Sequence, residues 1–147
     1  MTDKNIDVAI LGGGAWGTAL AQVQASVGRN VLLWAREPEV VDAINTQHEN
    51  TVFLKGVALH PQLRATARMT DLLAAPVILV VTPAQHMRTT LAALGPQALA
   101  GKTIILCAKG IEIETGALLS HIVTSMAPDA HVAVLSGPTF AANIARG

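Results

Sequence analysis

The 147-residue chain is predicted to fold as an α/β domain on a doubly wound, mainly parallel β-sheet, and three features carry that expectation. Short apolar runs recur without the polar alternation of a sheet that has one wet face. Helical patterns separate these runs, so strand and helix alternate as right-handed crossover units require. A glycine cluster, "LGGGAWGTALA" at 11–21, lies between the first run and the first helical pattern, where a strand must turn sharply into a helix.

The first strand is expected in "IDVAIL" at 6–11 and the first helix in "AWGTALAQVQASV" at 15–27. "NVLLW" at 30–34 supplies the second strand and "EPEVVDAINTQH" at 37–48 the second helix. Residues 49–67 interrupt the rhythm, because Gly56 and Pro61 break any helical period. They predict a long connection with a short strand at Leu63 to Ala67. A connection this long is uncommon unless it serves a function, and a plain surface excursion is the alternative. A brief helix in "TDLLAA" leads to the fourth strand, "PVILVV" at 76–81, then a helix over 84–94 and the fifth strand, "KTIILCA" at 102–108. A helix over 115–126 precedes the sixth strand, "HVAVLS" at 131–136. In "GPTFAANIARG" a last helix is expected to begin at Pro138, since proline suits the first helical position. Its early end points to a piece of something longer.

Apolar residues make up 51% of the chain and charged residues 14%, with a formal net charge of zero. No global field would draw nucleic acid or an anionic membrane, so any anion must be captured locally. The start, "MTDKNIDVAIL", has no basic region, and no apolar run approaches the ~18 residues of a membrane span. The chain therefore reads as a cytoplasmic protein. Cys107, the only cysteine, excludes an internal disulfide and sits in an apolar run as a packed thiol. The histidines at 48, 60, 86, 121 and 131 show no metal-binding pairing, so no metal site is predicted and each reads as structural or solvated. Met87 and Met126 read as core filling.

Gly12, Gly14 and Gly17 fit G-x-G-x-x-G, the spacing of a dinucleotide-binding loop in a Rossmann-type sheet. Gly12 would permit the tight turn, Gly14 the approach of a pyrophosphate, and Gly17 close packing of helix on strand. A plain strand-to-helix turn would need one glycine, not three. An acidic ribose ligand is expected about twenty residues on, yet "LLWAREPE" puts Trp34 and Ala35 there, followed by Arg36. A guanidinium can stack on adenine and pair with a 2′-phosphate, which favours NADP and leaves NAD open. Glu37 is either a ribose ligand or a first-turn acid, and Arg36 could simply be solvated. Ligands of open parallel sheets bind beyond the carboxyl ends of the strands. There, Thr82 and Pro83 form a wall beside the cofactor or an ordinary turn. Lys109 could stabilise developing negative charge on an oxygen or merely solvate a strand end. Gly137 and Thr139 would put an amide and a hydroxyl at a helix N-terminus.

Taken together, "GGGAWGTALA", "LLWAREPE", "FLKGVALHPQL", "CAKGIEIETG" and "LSGPTFAANIARG" resemble the bacterial NAD(P)-dependent sn-glycerol-3-phosphate dehydrogenases over the whole chain. The resemblance implies contacts from Lys109 to both substrate and cofactor, from Ala15, Trp16, Arg36 and Ala141 to the cofactor, and from Gly137 and Thr139 to the substrate. Ala15 replaces a serine found in many members. The implied reaction is hydride transfer between NAD(P)(H) and glycerol 3-phosphate or dihydroxyacetone phosphate, for phospholipid precursors, in a cytoplasmic enzyme whose full-length form is expected as a homodimer. Family members add a helical C-terminal domain with a second lysine, the proton acceptor, and the residues that hold the substrate phosphate. Residues 1–147 are accordingly expected to be the nucleotide-binding domain alone, binding dinucleotide but turning over little. A ketopantoate reductase-like domain is disfavoured by "KGIEIETG" and "SGPTF"; a noncatalytic nucleotide sensor is the rival outside the enzymes.

Overall fold

Six parallel strands form one sheet in the order β3-β2-β1-β4-β5-β6 in a computed structural model that describes residues 5–147. The strands are β1 (Val8–Leu11), β2 (Val31–Trp34), β3 (Arg64–Thr66), β4 (Val77–Val80), β5 (Thr103–Leu106) and β6 (His131–Val134). The helices are α1 (Ala15–Ser26), α2 (Pro38–Gln47), α3 (Met87–Leu94), α4 (Leu119–Met126) and α5 (Ala141–Arg146). The chain winds outward from β1 to β3, then crosses back to place β4 on the other side of β1. That reversal opens a crevice at the carboxyl ends of β1 and β4, where doubly wound sheets take their ligands.

Both faces of the sheet are covered, which is why the strand sequences are nearly continuous in apolar residues. Along β1, Val8 and Ile10 enter one core cluster, while Ala9 and Leu11 enter the other. The same alternation sends Leu79 and Cys107 to the first cluster and Ile78, Val80, Ile104 and Leu106 to the second. Residues of α1, α2 and α5 complete the first cluster, and residues of α3 and α4 the second, with Met87 fully buried and Met126 packed beside it.

The connection at 49–67 is no surface excursion. Leu54, Val57, Leu59 and Leu63 belong to the first core cluster, so the segment forms part of the hydrophobic interior. It turns on Asn50, which is fully buried. Asn50 Nδ2 donates to the Gly13 carbonyl (2.9 Å) and to Thr18 Oγ1 (2.8 Å), and its Oδ1 accepts from the amides of Val52 (3.3 Å) and Phe53 (3.0 Å). A buried amide is tolerated because its polar atoms are paired.

Four expected helices differ in start or type. The helix predicted over 84–94 opens as a 3-10 turn at Ala84–His86 before α3, and "TDLLAA" lies in a 3-10 helix, Met69–Ala74. The helix predicted from 115 begins at Leu119. Gly116 has a φ of +71°, the Gly116 amide donates to the Glu112 carbonyl (2.8 Å), and Ile111 pairs antiparallel with Leu118, so 111–118 closes on itself instead. The last helix begins at Ala141, not Pro138, because Phe140 is extended (φ −102°, ψ 139°) and its carbonyl is the first to accept helical bonds, from the amides of Asn143 and Ile144. Proline fixes its own φ, not that of its successors.

Glu112 is the one carboxylate in the described residues that is almost fully buried. Arg88 grips it with two hydrogen bonds, Nε to Oε2 (2.9 Å) and Nη2 to Oε1 (2.8 Å), and Thr115 Oγ1 adds a third (2.6 Å). The Arg88 bonds, with help from Thr115, hold the carboxyl down to about 2 from its usual 4.5. A carboxyl lowered in the folded state stabilises the fold above its unfolded value and loses that contribution as pH falls toward the folded value. Acid unfolding titrations should therefore show stability declining between about pH 4.5 and pH 2, with the decline weakened in Glu112→Gln; an identical acid limb in that variant would contradict the pairing.

Candidate functional site

Two clefts open at the carboxyl edge of the sheet, one on each side of the loop between β1 and α1. The first, about 460 Å³, is lined by Gly12, Gly14, Trp34, Arg36, Glu37, Phe53, Thr82 and Pro83, with His86, Thr89 and Thr90 at its far wall. The second, about 350 Å³, is lined by Ala15, Trp16, Cys107, Lys109, Gly137, Thr139, Phe140 and Ala141, with Leu135 and Ser136. Every residue singled out from the sequence for cofactor or substrate contact lines one cleft or the other except Gly17, whose work is internal.

The glycines divide by what surrounds them. At Gly12 the φ is +134°, and an added Cβ would sit 2.9 Å from the Val81 carbonyl oxygen. At Gly17 a Cβ would overlap the Gly12 carbonyl oxygen, so the first turn of α1 approaches β1 only because that atom is missing. Gly13, which the motif leaves unassigned, is equally constrained: a Cβ there would run into Ala35. Gly14 differs. Its backbone is extended (φ −72°, ψ −174°), a conformation open to any residue, and nothing lies within 4 Å of where its Cβ would be. The space it leaves belongs to the cleft.

Gly14 is also the N-cap of α1, with no side-chain capping bond and no acidic residue in the first turn. The opening N–H groups of α1 are thus left for an outside acceptor at the junction of the two clefts. Thr82, 8% exposed in the wall of the first cleft, has a buried Oγ1 with no partner among the described residues. A buried hydroxyl without a partner costs free energy, and one facing a cleft can be satisfied by a ligand. The other orphan, His48 Nδ1, lines neither cleft. Unpaired helix amides, an open Gly14 and an unpaired Thr82 hydroxyl together fit a dinucleotide.

Arg36 stands exposed at the end of β2, and no described residue pairs with it. Glu37 occupies the N-cap position of α2, makes no side-chain capping bond there and lines the same cleft. Trp34 is fixed as a wall by its Nε1 donating to the Ala67 carbonyl (3.1 Å). In the second cleft Lys109 and Thr139 are exposed, and no described residue bonds to either side chain. Cys107 is 5% exposed, and burial pushes its thiol up to about 11, which suits a packed sulfur and not a nucleophile.

Sequence reasoning missed Asn50 and Phe53 of the long connection. Phe53 is 43% exposed, large for an aromatic ring, and faces the first cleft. The aromatic residue in a stretch with no helical period was the available signal; nothing in the composition flags Asn50. Among the described residues no cluster of three or more His, Cys, Asp or Glu could hold a metal, and no helix is long and apolar enough to cross a membrane.

Residues 7–147 match the sequence profile of the NAD-dependent glycerol-3-phosphate dehydrogenase N-terminus. The chain is 55% identical over 140 residues to glycerol-3-phosphate dehydrogenase [NAD(P)+] of Parvibaculum lavamentivorans, covering 95% of this chain and 42% of that protein. It is 51% identical to the same-named protein of Paramagnetospirillum magneticum, covering 95% and 51%. Among solved structures, glycerol-3-phosphate dehydrogenase of Coxiella burnetii superposes with a TM-score of 0.88 at 31% identity, over 97% of this chain and 44% of that one. The chain thus spans about half the length of the curated relatives it matches. On this match of profile, sequence and fold, the chain belongs to the NAD-dependent glycerol-3-phosphate dehydrogenase family and corresponds to the N-terminal part of its members.

Proposed function

We propose that residues 1–147 are the NAD(P)-binding Rossmann domain of an enzyme that interconverts glycerol 3-phosphate and dihydroxyacetone phosphate, supplying phospholipid precursors. The observation that carries the reading is the contrast among the glycines: Gly12 and Gly17 are required by the chain itself, whereas Gly14 is required by nothing within it and borders an open cleft. When bound, the dinucleotide supplies hydride exchange at C2 of the substrate. The N–H groups after Gly14 hold its pyrophosphate, with no Cβ in the way. Arg36 and Pro83 take the adenosine half in the first cleft, the guanidinium pairing with a 2′-phosphate where one is present. Ala15, Trp16 and Ala141 line the nicotinamide half in the second.

Lys109 donates to the C2 oxygen and offsets charge that grows there during the reaction, a role typically worth ~3 kcal/mol. Gly137 and Thr139 offer an amide and a hydroxyl to the same substrate. Proton transfer and phosphate binding fall to the helical C-terminal domain that the longer relatives leave room for. The full-length enzyme is read as a cytoplasmic homodimer with no nucleic acid partner; these 147 residues, with a net charge of zero, set up no field that would draw one.

Trp16 and Trp34, the only two tryptophans, each line a cleft, so bound NADH should quench their emission by energy transfer. In Gly14→Val the N-cap exchange should cost under about 1 kcal/mol of stability. NADH affinity in that variant should fall roughly ten- to hundredfold, the worth of the charge-assisted bonds displaced. Undiminished quenching in the variant would remove the pyrophosphate from this loop. By the same titration Arg36→Ala should weaken NADPH more than NADH, and equal losses would detach Arg36 from the 2′-phosphate.

A further inference from the structure

Lys109 lies at the start of the segment 109–118 that joins β5 to α4, and this segment has little apolar anchorage. Ile111, Ile113 and Leu118 are 49%, 82% and 51% exposed. Polar contacts from one neighbour hold it instead. Gln85 Nε2 donates to the Ile111 carbonyl (2.8 Å), and the Ile113 amide donates back to Gln85 Oε1 (2.9 Å). Both ends of one side-chain amide thus grip the same strip of backbone. Between the two gripped residues, Glu112 turns inward to the Arg88 fork and to Thr115, and the Glu112 amide donates to the Ala117 carbonyl (2.9 Å). Gly110 has a φ of +112°, and a Cβ added there would lie 3.7 Å from that of Ala84.

The gripping stretch also serves the other cleft. Pro83 and His86 flank Gln85 in the 3-10 turn, Thr90 follows Arg88 in α3, and all three line the first cleft, while Lys109 lines the second. Gln85, Arg88 and Glu112 line neither. The clamp therefore ties the backbone strip just after Lys109 to the stretch that walls the other cleft, and it does so with directional bonds that a flexible apolar contact could not replace.

We propose that Gln85, Arg88 and Glu112 are positioning residues that set Lys109 against the nicotinamide half of a dinucleotide bound across the two clefts. This rests on the dinucleotide reading of the site. None of the three side chains lines the adenosine cleft and all three hold the Lys109 segment, so their loss separates two ligands: NADH, which spans both clefts, and ADP-ribose, which lacks the nicotinamide ring.

Calorimetry with NADH and ADP-ribose on the wild-type chain and on Arg88→Ala, Glu112→Gln and Gln85→Ala tests this. The wild type should hold NADH more tightly than ADP-ribose. Each variant should lose about tenfold in NADH affinity, the worth of one charge-assisted bond, with ADP-ribose affinity unchanged, and Arg88→Lys should recover part of the loss because a lysine can still reach Glu112 as a point charge. Gln85 is exposed, so Gln85→Ala keeps the test sound if a change at the buried Glu112 impairs folding. Equal losses for both ligands would make the clamp mere scaffolding and overturn the proposal, as would unchanged NADH affinity or a wild type that does not prefer NADH. A wild-type chain that binds neither ligand overturns the dinucleotide reading itself, and this proposal with it.

Discussion

The first turn of α1 sits so close to the end of β1 that a single methyl group at residue 17 would collide with the carbonyl of residue 12. That approach puts the opening amides of α1 at the carboxyl edge of the sheet, between the cleft that contains Arg36 and the cleft that contains Lys109. Gly12 turns against Val81 and Gly13 against Ala35, so the loop is packed between the ends of β4 and β2 as tightly as a core. Such packing leaves little freedom to rearrange. The site is therefore preorganised by contacts within the chain, and a ligand need not reshape it. Preorganisation lowers the ordering cost of binding, which is where much of the free energy of association is otherwise spent.

Two polar arrangements extend that rigidity outward. Asn50 bonds the loop carbonyl of Gly13 and the hydroxyl of Thr18 to the long connection, which brings Phe53 to the first cleft. On the opposite side, Gln85 and the Arg88–Glu112 pair attach the Lys109 segment to the turn before α3 and to the start of α3 itself. Both connections cross between elements distant in sequence, and both use groups that would be costly if left buried and unpaired. The rim of the sheet is thus a frame of hydrogen bonds set on a core of apolar strands.

The strands and the glycine loop were legible because their physics is local. Period-two burial on two faces writes nearly unbroken apolar runs, and the steric demands of Gly12 and Gly17 fall within six residues of each other in the chain. Arg36, Pro83, Lys109, Gly137 and Thr139 were singled out at strand ends by topology, whereas Ala141 came from the family resemblance alone, which also raised Lys109 above a solvated lysine. The misjudged parts depend on distant partners. Leu54, Val57, Leu59 and Leu63 have no helical or strand period, so nothing in their spacing announces that they enter the core. Glu112 reads as one charge in a polar stretch until Arg88, twenty-four residues away, is seen beside it. The late start of α5 reflects extended backbone at Phe140, a choice that Pro138 does not dictate.

The central claim is that main-chain N–H groups at the β1–α1 junction grip a diphosphate. Diffraction from crystals of the chain grown with reduced dinucleotide tests it most directly. The account predicts pyrophosphate oxygens within about 3 Å of the main-chain nitrogens that follow Gly14, the adenosine ribose beside Arg36 and the nicotinamide beside Lys109. Nucleotide bound elsewhere on the surface, with that junction empty at saturating concentration, would contradict it.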